Sequence, residues 1–444
     1  MIRPMRTARV AAATAAAALV LASCAQDAET PDAAEEPDAT SESSETAPEE
    51  TESSGEPTES EPMPKGKGDG ELVVGYLLPT TGDLAFLGPP EIAGVNLAVE
   101  EINAAGGVLG KPVKIVPADS GDGTPAIAPA EVDKLLGKNA DVIIGAASSS
   151  VSLSVIDKIV NAGVVHFSPA NTSTAFDTYE DKDLYFRTAP SDVLQGAVLA
   201  NTVVKDGFKN VAILARQDSY GEALADQAAK GLEAGGATVA TKTLYAADAS
   251  NYTAEVNKVA ATNPDAIVLI AFNETTKIIP QLIAKGVGPE DVQIYFVDGN
   301  TADYSGDFDP GTLEGVKATF PGAELTGDFR ERLLETDPKL DDFTYGPETY
   351  DATIMSALAA EAAKDDAGVS IGAKLIEISA GGTKCLTFEE CLPMAQAGED
   401  IDYDGVSGPV DLNDTGSPSK ATIGIFEYSA DNTYENIDYV TGVI

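Results

Sequence analysis

Residues 141–152 read DVIIGAASSSVS. The apolar run ends at Gly145, and after two alanines come Ser148, Ser149 and Ser150. Val151, Val155, Ile156, Ile159 and Val160 then recur at helical spacing, so the pattern predicts a buried strand, a tight turn and a helix start. A turn of that kind joins the carboxyl end of a strand to the amino end of a helix. Unpaired N–H groups and the helix dipole favour an anion there, and serine hydroxyls add donors. The turn is therefore suited to a small anion such as a carboxylate; the plainer reading makes the three serines ordinary N-caps. A second hydroxyl-rich loop, Pro169-Ala170-Asn171-Thr172-Ser173-Thr174, follows the next apolar run. Loops after neighbouring parallel strands converge on one rim, so the two loops can share a ligand.

Little in the chain points to catalysis. Its single histidine, His166, lies inside an apolar strand pattern and reads as a core residue. A Ser-His-Asp triad lacks a plausible base, and no His-Glu-x-x-His, P-loop or Gly-x-Ser-x-Gly motif occurs. The reading is a binding protein, not an enzyme; a hydrolase using the hydroxyl-rich rim is the distant alternative. A formal net charge of −44 excludes nucleic acid, which needs clustered Lys and Arg, and a polybasic grip on anionic lipid. No cofactor is expected. Of the three cysteines, Cys385 and Cys391 sit close together in GGTKCLTFEEC. Two thiols and one distant histidine do not make a zinc set, and in an exported protein a disulfide between them is the default.

Export is written at the amino end. Arg3, Arg6 and Arg9 precede a short, alanine-rich apolar run and then Leu21-Ala22-Ser23-Cys24. Residues 1–23 therefore read as a signal peptide. The Leu-Ala-Ser-Cys ending resembles a bacterial lipobox, which implies cleavage before Cys24, lipid on its sulfur and attachment to the outer face of the cell membrane. Residues 24–69 follow as an acidic tether. Gln26 to Pro64 carries fourteen acidic residues and no Lys or Arg, so no core can form and like charges extend the segment.

The elements that must position the two loops alternate strand and helix. Strands are predicted at 71–80, 113–118, 142–145 and 164–168, with helices between them. A loop over 82–90 carries Phe86 and Leu87 at its tip. The alternation restarts after Asp192, with strands near 211–215, 239–244, 266–271 and 293–297, and later helices at 350–364 and 371–378. Such alternation implies an α/β fold with parallel sheets covered on both faces.

The order of VVGYLLPTTGDLAFLG, AGVNLAVEEINAAGGVLGKPV, IIGAASSS, SPANTS, YFRTAPSD, DSYGEALA, IAFNETTKII and YGPETYDA resembles type I solute-binding proteins of branched-chain amino acid ABC transporters, the leucine/isoleucine/valine-binding family. The resemblance covers residues 71–444. It implies two doubly wound parallel-sheet lobes, residues 71–188 with 320–422 and residues 189–319 with 423–444. Three hinge crossovers, near Thr188, Phe320 and Ile423, would join them around a ligand cleft. The implied function is capture of a small amino acid and delivery to membrane permease subunits. Alternatives are a sensor feeding a membrane receptor, or binding of another small amide or a urea-like solute.

Carried over by position, the resemblance places the ligand carboxylate on Ser149, beside Ser148. The ligand backbone meets the Ala170 carbonyl and the Thr172 hydroxyl, with Asn171 between them. Tyr220 covers the ligand from the second lobe, and Glu274 or Asp298 meets its ammonium. Each has a plainer reading: Glu274 as an acid favouring a helix N-terminus, Asp298 as a turn former, Tyr220 as helix-start packing. Tyr345 is a weaker cleft candidate.

Overall fold

The computed structural model describes residues 68–123 and 126–444. The expected signal peptide, Cys24 and nearly all of the tether lie outside these residues. The first sheet is built from β1 (Val73–Leu78), β2 (Lys114–Asp119), β3 (Val142–Gly145), β4 (Val165–Ser168) and β5 (Tyr185–Arg187). All its pairings are parallel, in the order β2-β1-β3-β4-β5. The connections are α1 (Gly88–Ala104), α2 (Ala128–Leu136) and α3 (Ser149–Asn161). β3 and β4 are buried throughout, as strands covered on both faces must be. His166 is fully buried in β4, edge-on to Tyr185. Burial pushes its imidazole down to about 3, so it is a neutral core residue, as its apolar setting predicts.

After α4 (Asp192–Lys205) the same plan repeats. β6 (Asn210–Arg216), α5 (Ser219–Ala234), β7 (Thr238–Tyr245), α6 (Thr253–Ala260), β8 (Ala266–Ile270), α7 (Thr275–Ala284), β9 (Gln293–Val297) and β10 (Lys317–Pro321) follow in sequence. Their sheet order, β7-β6-β8-β9-β10, repeats that of the first sheet. The chain then returns to the first sheet's side with α8 (Gly327–Thr336), α9 (Gly346–Ala363) and α10 (Gly368–Leu375), whose buried residues share one core with β1, β3 and β4. A small sheet of β11 (Thr383–Cys385), β12 (Ile401–Gly405) and β13 (Gly408–Pro409) is tied to α11 (Phe388–Ala397) by the Cys385–Cys391 disulfide. Finally β14 (Lys420–Tyr428) and β15 (Tyr434–Val443) extend the second sheet antiparallel beyond β10.

The segment before α1 differs from its expected form. Ala85–Leu87 is one tight helical turn, and α1 starts at once at Gly88. Leu87 is buried. A helix started by Pro89 and Pro90 at its first turn needs no open loop before it, and the apolar tip packs inward.

Candidate functional site

The first rim of the site is the turn after β3. Gly145 has φ +120°, and a Cβ there would lie 2.0 Å from the Leu77 carbonyl oxygen, so only glycine fits between β1 and the turn. Ser148 is the N-cap of α3, yet its side chain makes no capping bond. Its hydroxyl lies 3.0 Å from that of Ser150. The fold of the turn rests on Ser152, whose hydroxyl accepts from the Ala146 N–H at 3.0 Å. Ser148 and Ser149 are thus buried at an uncapped helix amino end, which suits an anion.

Asn171 holds the two rim loops together. Its amide donates to the carbonyls of Ala146 and Ala147 at 3.0 and 2.8 Å, and its oxygen accepts from the Tyr185 hydroxyl at 3.0 Å. Arg187, fully buried, donates to the carbonyls of Asn171 and Ser173. Thr172 Oγ1 is buried and makes no hydrogen bond of good geometry among the described residues, although it lies near enough to the Asp192 carboxylate to favour that group's charge. Both carboxylate oxygens of Asp192, at the start of α4, are likewise buried without such a bond. Burial and the neighbouring Asp298 charge hold the Asp192 carboxyl well above the usual range.

The opposite rim follows β6, β8 and β9. Asp298, after β9, is 4% exposed. Its carboxylate accepts from the Tyr220 hydroxyl (2.6 Å), the Gln195 amide (3.0 Å) and the Tyr345 hydroxyl (2.9 Å). All three donors are neutral. Burial raises the Asp298 carboxyl, although these bonds hold it back. Burial and the Asp298 charge also push the Tyr220 hydroxyl well above its ordinary value, so it remains a donor.

Glu274 has a different setting. Its Oε1 accepts from Arg216 Nη1 at 3.0 Å and from the Tyr245 hydroxyl at 2.9 Å. Arg216 also bonds Asp218 at 2.6 Å, and its guanidinium carbon lies 3.4 Å from the centroid of the Phe272 ring. Close approach of α5 to β6 fixes this cluster: a Cβ on Gly221 would sit 2.2 Å from the Arg216 carbonyl oxygen.

Ser148, Ser149, Ala170, Tyr220 and Asp298 line one small cavity with Leu84, Leu87, Phe272 and Tyr345. Asn171, Thr172 and Glu274 do not line it. The cavity is nearly shut, at about 10 Å³. The rims touch across it: Ser173 Oγ donates to the Ser219 carbonyl at 2.7 Å, and Asn273 N–H to the Asp83 carbonyl at 3.2 Å. A larger space of about 350 Å³ lies beside it, walled by Ser150, Ser154, Arg216 and Asp218 among others.

Sequence reasoning missed Arg216, Phe272 and Gln195, and undervalued Tyr345. Arg216 and Phe272 end or follow apolar strand runs, the places where α/β sheets put functional side chains, so position alone could have flagged them. Gln195 lies on a helix the sequence reading left out.

Residues 71–428 match the family model described as Periplasmic binding protein. The chemotactic signal transduction system substrate-binding protein BasB of Halobacterium salinarum is 27% identical, over 77% of this chain and 83% of that protein. The Leu/Ile/Val-binding protein BraC3 of Rhizobium johnstonii is 34% identical, over 38% of this chain and 46% of its own. Among solved structures, the leucine-binding protein LivK of Thermotoga maritima superposes with a TM-score of 0.69 at 19% identity, covering 83% of this chain and 98% of that one. A solute-binding protein of an ABC transporter from R. palustris, in complex with benzoate, gives 0.68 at 17% identity, covering 84% and 98%. The two solved structures share this chain's fold, and on the family match the chain belongs to the periplasmic binding proteins.

Proposed function

We propose that the chain is the extracytoplasmic solute-binding component of an ABC importer, capturing a small amino acid with a branched apolar side chain in the cleft between its lobes. In this reading the two lobes comprise residues 71–188 with 320–422 and residues 189–319 with 423–444. The observation that carries this reading is the polarity of the cavity. One end is the uncapped amino end of α3 with Ser148 and Ser149. The other is Asp298, a buried carboxylate held by neutral donors. Leu84, Leu87, Phe272 and Tyr345 lie between. A zwitterion fits that order: carboxylate to the helix end, ammonium to Asp298 through a charge-assisted bond, apolar side chain to the apolar wall. Glu274 already serves Arg216, so Asp298 is the better partner for the ammonium. Thr172, whose hydroxyl has the Asp192 carboxylate beside it, meets a ligand oxygen once the lobes adjust. A leucine-binding structural relative and a Leu/Ile/Val-binding sequence relative support the ligand class. The lipid on Cys24 and the permease partner belong to the same proposal.

The likeness to BasB, which serves chemotactic signalling, supports a second reading in which the same closed form docks on a membrane receptor. An aromatic acid is less favoured, because it leaves Asp298 without a cation. Calorimetric titration of refolded protein against the twenty amino acids, benzoate, urea and short amides tests the ligand class. Micromolar or tighter binding of leucine, isoleucine or valine is expected. Binding of benzoate alone would refute the zwitterion assignment.

A further inference from the structure

A second cavity, of about 170 Å³, lies beyond Tyr345 from the cleft. Its walls are strands β10, β14 and β15 and the segment leading into α9. Phe320, Phe426, Tyr434, Tyr439 and Tyr345 supply aromatic surface. Phe320 stacks on Phe426 with ring centroids 5.0 Å apart, and Phe426 meets Tyr434 edge-on at 5.5 Å. Tyr345 stands at 6.2 Å from Phe320 while its hydroxyl reaches Asp298 in the cleft. One aromatic ring thus separates the two cavities.

The charge in this cavity is of one sign. Asp341, Asp342 and Glu348 line it, and no Lys or Arg does. Asp342 is held by the N–H and hydroxyl of Thr344 at 2.8 and 2.6 Å. Glu348 is 4% exposed, and its carboxylate has no hydrogen bond or ion pair from another residue among those described. It faces the end of β10, where a Cβ on Gly322 would lie 3.3 Å from Glu348 Oε1. A buried carboxylate supported only by its own backbone N–H must either stay protonated or gain a cation. Burial, with the Asp351 charge, pushes Glu348 up to about 8. The other groups around it, Asp341, Asp342 and Glu91 of α1, bring no positive charge.

We propose that this cavity is a second binding site, taking a small organic cation of the alkylammonium type. Aromatic faces attract such cations through their quadrupoles, methyl groups match the apolar wall, and Glu348 supplies the counter-charge. A hard metal ion is a poor match, since it needs six or more oxygen ligands and the walls are mostly aromatic. The site is independent of the amino acid proposed for the cleft.

Titration of the purified chain with choline and tetramethylammonium, beside the neutral choline isostere 3,3-dimethyl-1-butanol, tests the proposal. Both cations should bind saturably, and the neutral isostere at least about tenfold more weakly. Glu348→Gln, which keeps the side-chain shape, and Phe426→Leu should each weaken choline about tenfold while the thermal transition stays cooperative. Three results would overturn the site: no saturable binding of either cation, equal binding of the isostere, or choline affinity unchanged in both variants.

Discussion

At the residue scale, the cleft separates two buried acids that the sequence treats alike. Asp298 is satisfied by neutral donors and faces the cavity. Glu274 is one arm of an ion-pair cluster with Arg216 and Asp218. Their variants should therefore fail in different ways. Asp298→Asn keeps an oxygen for the Tyr220, Gln195 or Tyr345 donors but removes the charge proposed to meet the ammonium. Amino acid affinity is expected to fall by about 1.5–3 kcal/mol, with the melting temperature held or raised. Glu274→Gln strips a buried guanidinium of one counter-charge, so stability should drop by about 3 kcal/mol with a smaller change in affinity. Calorimetry and thermal unfolding on both proteins read the two effects separately. Binding lost in Glu274→Gln without loss of stability would reverse the assignment. Thr172→Ala belongs beside them: its buried hydroxyl is expected to contribute roughly 1–3 kcal/mol to ligand affinity, and unchanged affinity would remove it from the site.

At the scale of elements, α9 governs much of the electrostatics. It is buried along nearly its whole length, Glu348, Asp351 and Glu361 included. Asp351 is held by Tyr403 and by Ser407, but Glu348 has no such support. Its carboxyl is raised in the folded chain to about 8, so the native state keeps a proton that the unfolded chain has lost. Stability from this group is full below the unfolded value and declines as pH rises towards 8. Urea unfolding of the wild type at pH 5 and pH 8 should differ by a few kcal/mol on this account. Glu348→Gln should shrink that difference; an equal difference in the variant would place the pH dependence elsewhere. The same helix shows what was legible beforehand. Runs such as Val142–Gly145 and Ala266–Ile270, short, apolar and followed by helical spacing, could be read directly, and with them the positions of Ser149 and Tyr220. The three-residue β5 and the polar, exposed β15 carry too few apolar positions to reveal a period. α9 is buried nearly all round, its polar residues Glu348, Asp351 and Glu361 included, so it has no exposed face to mark its phase, and the helix expected from residue 350 starts one turn earlier, at Gly346. Long-range partnerships, such as Arg216 with Glu274 58 residues on, leave no local pattern at all.

At the scale of the molecule, the two sheets repeat one strand order and present their loops to each other. Leu84, Leu87, Ala147, Ala170 and Tyr345 share one buried cluster with Tyr220 and Phe272. That cluster spans the cleft, so the form described is closed. Its cavity, about 10 Å³, is far below the roughly 150 Å³ that encloses a benzene-sized guest. A ligand the size of leucine can enter only if the lobes part, and the polypeptide between them must absorb the motion. Such hinge closure is selected by whatever contacts both rims. Opening breaks the bonds Ser173 to Ser219, Asn273 to Asp83 and Tyr345 to Asp298 and parts the shared apolar cluster, and ligand contacts to both rims must offset that cost on closure. We therefore expect the ligand-free chain to populate an expanded form in solution, and small-angle scattering to report a smaller radius of gyration on adding the amino acid that binds. The same ligand at about 100 times its dissociation constant should stabilise the fold by about 2.7 kcal/mol. Asp298→Asn should blunt both responses together, since closure and affinity draw on the same contact. A radius of gyration that ignores a tightly bound ligand would mean that the cleft admits it without moving, and the hinge mechanism would have to be abandoned.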